Sequence, residues 1–495
     1  MKKLINFKSP YIWAFTTYFT EGFPYTIIRQ ISTLFFRDMG VRLESIGLTS
    51  LFGLPWILKF LWGPQVDRFG TRRKWLLVTQ AALVVMMFLT AFLAPTSIGM
   101  ATIPIILFIG SFFAATHDIA IDGYYMEALD SAGQSKFVGY RVMAYRIAMI
   151  TGTGIVATIG TRVSWFAGFF SAATLFLAMF LYHLFFLPKI ETNTHPIKEL
   201  FLSFKKLKML FGFSAISISI ITFRLFYVSD FFSTIKNSHP FLKKIWFSHY
   251  IAMALFLSLL AVILFRGKIK NLITRDPDSY YSKAFLTFID RKNIGVIFLA
   301  IIFLRTGEMM LSSMLSPFIV DLGIKTHYGW LASVVGIPFS IFGALVGGAM
   351  ISKYSLKKVM WPFLLLQNFT NIIYMLLAFY FASFLHTNTQ NSTPVFIGNF
   401  NIFLVALTQA FDQFAGGLGT SVLMTFLMRI CLKEYKAAHY AIGTGVMNLS
   451  GVFVGVAGGF LCSWFGYGWF FGISFAVSIP GMIFAGMLPR DVLNK

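Results

Sequence analysis

Gly63-Pro64-Gln65-Val66-Asp67-Arg68-Phe69-Gly70-Thr71-Arg72-Arg73 is the stretch whose reading decides the fold. It joins two long apolar segments, 44–63 and 75–95, with the pattern G-x-x-x-D-R-x-G-x-R-R. Gly63 and Gly70 permit a sharp turn and close helix approach. Asp67 is placed to pair with Arg68, Arg72 or Arg73, or with a neighbouring helix end, as a latch that can open and close. A weaker copy, Gly348-Ala349-Met350-Ile351-Ser352-Lys353-Tyr354-Ser355-Leu356-Lys357-Lys358, joins the segments 328–351 and 360–384. It keeps the first glycine and the basic cluster and lacks the acid. Two such loops imply parallel repeats related by an axis along a membrane normal. The plain alternative is a positively charged inner loop and nothing more.

Working outward, stretches long and apolar enough to span a bilayer run at 11–36, 44–63, 75–95, 101–126, 137–159, 164–187, 208–228, 246–265, 293–320, 328–351, 360–384, 394–428, 437–463 and 466–488. That predicts fourteen spanning helices in an all-α polytopic membrane protein. Composition agrees: of 495 residues 57% are hydrophobic and only 12% charged, with mean hydropathy +0.74. A soluble domain needs about 25% charged residues to cover its surface. The net charge is 41 − 19 = +22. The basic residues sit in short loops, which points to membrane topology and anionic lipid and away from nucleic acid.

One side receives Lys2, Lys3, Lys8, Arg68, Arg72, Arg73, Lys74, Lys189, Lys198, Lys205, Lys206 and Lys208. It also receives Arg266, Lys268, Lys270, Arg275, Lys283, Arg291, Lys292, Lys353, Lys357, Lys358, Lys433, Lys436, Arg490 and Lys495. The other side receives Arg37, Arg42, Arg162, Lys236, Lys243, Lys244 and Lys325. The asymmetry places the first side, and both termini, in the cytoplasm. The expected organisation is a six-helix bundle over 1–190, a linker with two extra helices over 191–292, and a second six-helix bundle over 293–495. The polar stretch 267–292 reads as cytoplasmic linker. The opening segment carries Glu21 and no cleavage site, so it reads as a retained helix. Cys431 and Cys462 fall near opposite faces, too far apart for a disulfide.

The 63–73 loop resembles the loop signature of the major facilitator superfamily. Lys59-Phe60-Leu61-Trp62 before it, His117-Asp118-Ile119-Ala120-Ile121-Asp122, Gly139-Tyr140-Arg141 and Gly416-Gly417-Leu418-Gly419-Thr420-Ser421 resemble the AmpG-type muropeptide permeases of that superfamily. The similarity runs from about 11 to 488 and is weakest over 190–290. It departs at His117, where a glutamine is expected, and at Phe411-Asp412-Gln413, where Phe-Glu-Asn is expected. The resemblance implies two six-helix halves with two central extra helices, a bacterial inner membrane, and proton-driven import of anhydro-muropeptides by alternating access. Acetyl-coenzyme A, a siderophore or a small peptide is the alternative cargo on the same fold.

Ionisable residues within a spanning segment cost about 2.5–3.5 kcal/mol on insertion scales, so they mark cavities or partners. Asp118 and Asp122 share a helical face. They fit a proton-coupling pair, or a fixed salt-bridge network neutralised by Arg141 and Arg146. Arg305 and Glu308 are three apart, so they either pair or act separately, Glu308 on a proton and Arg305 on a substrate carboxylate. Asp412 stands alone in an apolar run as another proton-coupling candidate. Glu21 and Arg29, two turns apart, are candidates for the cavity wall, and Arg141, Arg146 and Arg305 are further substrate-cavity candidates. Trp13, Phe23, Tyr25, Tyr124 and Tyr125 are candidates to stack on sugar rings, against ordinary packing. The partners expected are therefore a small-molecule substrate of amino-sugar peptide type, protons and membrane lipids.

His117 to Asp122 also matches H-x-x-x-x-D of some membrane acyltransferases, but five residues on a helix turn the two side chains apart. Gly152-Thr153-Gly154 and the 416–419 glycines lack the strand and the Lys-Ser/Thr of a phosphate loop. No cluster has metal-ligand spacing and no cofactor is implied, so an enzyme is not expected.

Overall fold

The computed structural model describes residues 8–59, 62–190, 225–239, 245–265, 280–385 and 397–489, with isolated positions at 222, 242, 267, 268 and 271. Every regular element among them is helical. A bilayer core offers no hydrogen bonds to the backbone, so each crossing must satisfy its own peptide groups. The helices are α1 (Pro10–Thr26, continued by Ile27–Ile31 and Ser32–Asp38), α2 (Leu43–Leu58), α3 (Arg72–Leu93), α4 (Gly99–Ala128), α5 (Ser131–Ile150, continued by Thr151–Val156 and Ala157–Arg162) and α6 (Trp165–Phe186). Then come α7 (Phe247–Leu264), α8 (Tyr280–Ile289), α9 (Ile294–Asp321), α10 (Lys325–Tyr354), α11 (Leu356–Tyr380), α12 (Asn399–Arg429) and α13 (Lys436–Gly486). The two last spans predicted from sequence are joined in α13, where Gly466 (φ 73°, ψ 169°) makes a corner that only glycine adopts readily. The predicted span 208–228 lies almost wholly outside the described residues.

The helices sort into two bundles. In the first, α1 packs on α5 and α4, and α3 lies between α4 and α6. In the second, α12 packs on α10 and α11, and α13 on α9 and α11. The bundles meet through α2 against α13, where small residues let backbones touch. A side-chain carbon on Gly47 would fall 2.9 Å from the Gly455 carbonyl oxygen and 3.0 Å from Gly459 Cα. Helix α7 leans on α13 through His249 against Phe460 and Phe256 against Phe453.

Cross-bundle polar contacts gather at the end opposite the 63–73 loop. Arg37 forks onto Asp321 with bonds of 2.6 and 2.5 Å, and Tyr467 donates to the same carboxylate at 2.7 Å. Lys325 reaches Asp38 at 2.5 Å, and Trp165 donates to Asp38 at 2.7 Å. Ser463 donates to Glu44 at 2.7 Å, and Arg42 pairs with Glu44 at 2.9 Å. Paired, hydrogen-bonded ions of this kind hold two surfaces in one register.

The stretch 267–292 is more than a polar linker. α8 within it buries Ala284 and Phe288, one turn apart, against the second bundle. His439 donates from Nε2 to Ala284 O at 3.0 Å and accepts at Nδ1 from Arg291 at 2.9 Å, while Arg291 also donates to the Ile430 carbonyl. Ten residues with one apolar stripe are too short for any spanning window, which is why hydropathy passes over them.

The two repeat loops align residue for residue, so that Gly70 and Ser355 occupy the same place. Both have positive φ, 67° and 74°. The turn demands glycine geometry, which the first copy supplies and the second meets with a serine at ψ 154°. That region costs a side-chain-bearing residue about 1–3 kcal/mol. Ser355→Gly is therefore expected to stabilise the protein by about that amount, read as a raised melting temperature of detergent-purified protein. A lowered one would mean that the serine makes up the strain elsewhere.

Candidate functional site

A cavity of about 490 Å³ lies between the bundles, within the range of sites for small organic ligands. Its wall takes Tyr25 and Arg29 from α1, Trp56 from α2, Arg146 and Thr153 from α5, Arg305 and Glu308 from α9, Leu331 from α10, Gln409 and Gln413 from α12, and Asn448 from α13. Three helices reach it through wide π turns: Ile27–Ile31 in α1, Thr151–Val156 in α5 and Leu331–Gly336 in α10. Each such turn inserts a residue and rotates the remainder of its helix, a device common at functional sites. α9 is broken as well, at Arg305 (φ −116°, ψ 7°).

The arginines divide into two kinds. Arg305 donates to Glu308 from Nε at 2.7 Å and again from Nη2, and Gln367 donates to Glu308 from the far side. The spacing of three allowed this pairing, and the structure makes it; Arg305 is not a free anchor for substrate. Arg29 donates only to backbone, the Ser50 and Thr49 carbonyls at 2.9 and 3.2 Å. Arg146 has a long contact to Met149 Sδ at 3.9 Å. Among the described residues neither Arg29 nor Arg146 has a carboxylate partner. Arg141 and Arg146 were both candidates for the cavity and, alternatively, for neutralising Asp118 and Asp122; Arg141 takes the second role and does not line the cavity. The structure turns Arg146 into the cavity, because α5 presents Arg141 to the acids and Arg146, five residues on, to another side.

Behind Tyr25 and Trp56 lies a charged cluster of the first bundle. Asp118 accepts from Trp56 Nε1 at 2.8 Å and faces Lys59 at 3.8 Å. Asp122 accepts from the Tyr18 hydroxyl at 2.8 Å and from Arg141 at 3.0 Å, and Arg141 lies 4.3 Å over the Tyr18 ring. Glu21 lies among these groups and does not line the cavity, a correction to its placement from sequence. Trp56 and Lys59 are functional neighbours that sequence reasoning missed, although the Lys59-to-Trp62 motif pointed to the segment.

Asp412 is buried beside the cavity, bonded by Gln413 at 3.1 Å and close to Thr370. It is not alone in polarity, as its apolar run had implied: α11 brings Gln367, Thr370 and Tyr374 to it and its neighbours. His117 is buried with both ring nitrogens unpartnered and its ring against Phe176, so no His117–Asp122 pair exists. Of the five aromatic candidates only Tyr25 reaches the cavity. In the gating loop, Gly63 opens the short helix Gly63–Arg68 and Gly70 makes the turn. Arg72 faces Glu127 at 3.7 Å, and Arg73 caps the end of α6 through Leu184 O and Leu187 O at 2.8 and 3.1 Å. The side chains of Asp67 and Arg68 lie outside the described residues.

A profile of the Major Facilitator Superfamily matches residues 7–275 and 297–494. The chain belongs to that superfamily. The anhydromuropeptide permease of Escherichia coli (strain K12) is 23% identical over 475 residues, 94% of this chain and 77% of that protein. An uncharacterised protein of Haemophilus influenzae is 24% identical over 484 residues, 95% of this chain and 92% of its own. Among solved structures, a peptide transporter POT in complex with sulfate superimposes with a TM-score of 0.67 at 13% identity, covering 98% of this chain and 96% of that one. The nucleoside transporter NupG gives 0.55 at 14% identity, covering 98% and 99%. The resemblance to AmpG-type permeases thus extends over nearly the whole chain. This superfamily member is a multi-pass membrane transporter of small molecules and not an enzyme.

The two kinds of arginine predict opposite effects on stability. Arg305→Gln leaves the half-buried Glu308 without its cation and is expected to cost about 3–5 kcal/mol. Arg146→Gln removes a cation with no acid partner and is expected to leave stability within about 0.5 kcal/mol. Thermal melting of the purified variants reads both; equal losses would contradict the division.

Proposed function

We propose that this protein imports anhydro-muropeptides across the cytoplasmic membrane of a bacterium, by alternating access coupled to protons. The observation that carries the reading is the pair Arg29 and Arg146, cavity cations whose charge no carboxylate of the described residues answers. A desolvated guanidinium with free N–H donors is complementary to a carboxylate, and muropeptides carry several. Tyr25 and Trp56, edge to face at 5.2 Å, offer rings to an amino sugar on the same wall. The named relatives support this cargo over other solutes on the fold.

The loop asymmetry supports cytoplasmic termini, so the clasp of Arg37, Asp321, Asp38 and Lys325 closes the periplasmic end. In this state the cavity serves release into the cytoplasm. The two bundles, about 1–190 and 293–495, rock about the cavity and exchange this clasp for one at the 63–73 and 348–358 loops. The acids at and behind the cavity are the candidates for the proton step: Glu21, Asp118 and Asp122 in the first bundle, with Glu308 and Asp412 in the second.

Uptake of labelled anhydro-muropeptide into proteoliposomes tests the reading, with and without an inward proton gradient. Gradient-dependent uptake is expected. One lost charge-assisted bond is worth about 1.5–3 kcal/mol, so Arg146→Gln is expected to raise KM by about tenfold to a hundredfold. A cargo with amidated carboxyl groups should show the same loss on the unmodified protein and little further loss on the variant. Equal uptake of both cargoes would dismiss the arginine anchor.

A further inference from the structure

Asp118 and Asp122 read from sequence as either a proton-coupling pair or a fixed salt-bridge network, and in the structure each faces a cation and a hydrogen-bond donor. Asp118 holds a Trp56 N–H and faces the Lys59 ammonium; Asp122 holds the Tyr18 hydroxyl and the Arg141 guanidinium. An aspartate held by a cation and a donor is stabilised as an anion. Glu21 differs. It sits on α1 three residues beyond Tyr18, and its Oε2 is sealed from solvent with no hydrogen-bond partner. The charged groups facing it are Asp118 from α4, Asp122 from the same helix, Lys59 from the end of α2 and Arg141 from α5. The phenols of Tyr18 on its own helix and Tyr145 on α5 complete its surroundings.

Charge counting then selects the group. Three carboxylates share two cations, so the fully ionised cluster carries one negative charge too many. The excess is most costly on the oxygen that nothing solvates, and a single proton there makes the cluster neutral. Removing that proton is tolerable only when the site rearranges or admits water, which is what a change of access provides. We propose that Glu21 is the group that takes up and releases the transported proton, with Asp118 and Asp122 as fixed counter-charges to Lys59 and Arg141. The step makes and breaks one O–H bond, between a Glu21 oxygen and water. Glu21 communicates with the cavity through Tyr25, one turn along α1, and through Trp56, which lines the cavity and holds Asp118. The inference deepens the proton-coupled reading and rests on it for its role in transport.

Difference infrared spectroscopy between acidic and alkaline buffer, on the full-length protein in lipid vesicles, reads the protonated carboxyl directly and requires no cargo. The expected result is a titrating carboxylic C=O band that is lost in Glu21→Gln, kept in Asp118→Asn and shifted in frequency in Glu21→Asp. A band that survives Glu21→Gln, or that vanishes in Asp118→Asn with Glu21 intact, overturns the assignment. Glu21→Asp keeps a titratable group, so it remains decisive if the glutamine variant does not fold. In proteoliposomes Glu21→Gln is expected to lose the gradient-dependent component of muropeptide uptake. Failure of the unmodified protein to move muropeptide would overturn the cargo, whereas the infrared band alone decides the fate of Glu21.

Discussion

An ion taken out of water must find a partner or keep a path back to water, and the rest of this molecule is arranged around that constraint. Each buried charge resolves it differently. Arg37 and Asp321 form a forked pair that Tyr467 completes. Arg305 and Glu308 close on each other, with Gln367 behind them. Arg29 and Arg146 find no acid among the described residues and face the cavity. The first kind fixes geometry and the last invites an anion. Structural and functional charges are thereby separated within one bundle interface, by partnership and not by depth.

The same constraint couples the parts. The clasp at one end joins elements of both bundles, α1 and α2 on one side and α9, α10 and α13 on the other. Helix α1 carries Glu21 toward the charged cluster, Arg29 into the cavity and Arg37 into the clasp. The charged cluster, the cavity and the clasp therefore share a single helix, and its π turn at Ile27–Ile31 lies between the first and the last. A shift of that helix cannot change one contact without the others.

Much of the fold was legible because lipid imposes simple rules. Length and polarity decide what spans, so the segments read from hydropathy match the helices wherever residues are described, and the corner at Gly466 falls at the boundary expected between the last two spans. The loop repeat was legible too, down to a shared positive φ at Gly70 and Ser355. The intramembrane charges stood out because they are rare, and the spacing of Arg305 and Glu308 allowed their pairing without deciding it. What sequence could not give was helix rotation. Glu21 and Arg141 were candidates for the cavity along with Arg29 and Arg146; packing turns the first two to the charged cluster and leaves the last two in the wall. Trp56 and Lys59 were missed because tertiary packing alone brings α2 to α4. Helix α8 was missed because its stripe is short and its other face polar.

That small helix also bears on how the protein is made. Its dock is completed by His439, 155 residues downstream of the Ala284 carbonyl that the imidazole holds. At roughly 5–20 residues per second of synthesis, the ribosome needs on the order of ten seconds to deliver that partner after α8 has emerged. Until then the stripe of α8 has only the start of α9 to pack on, Phe288 against Phe298, and the bilayer surface is the nearest refuge for the rest of it.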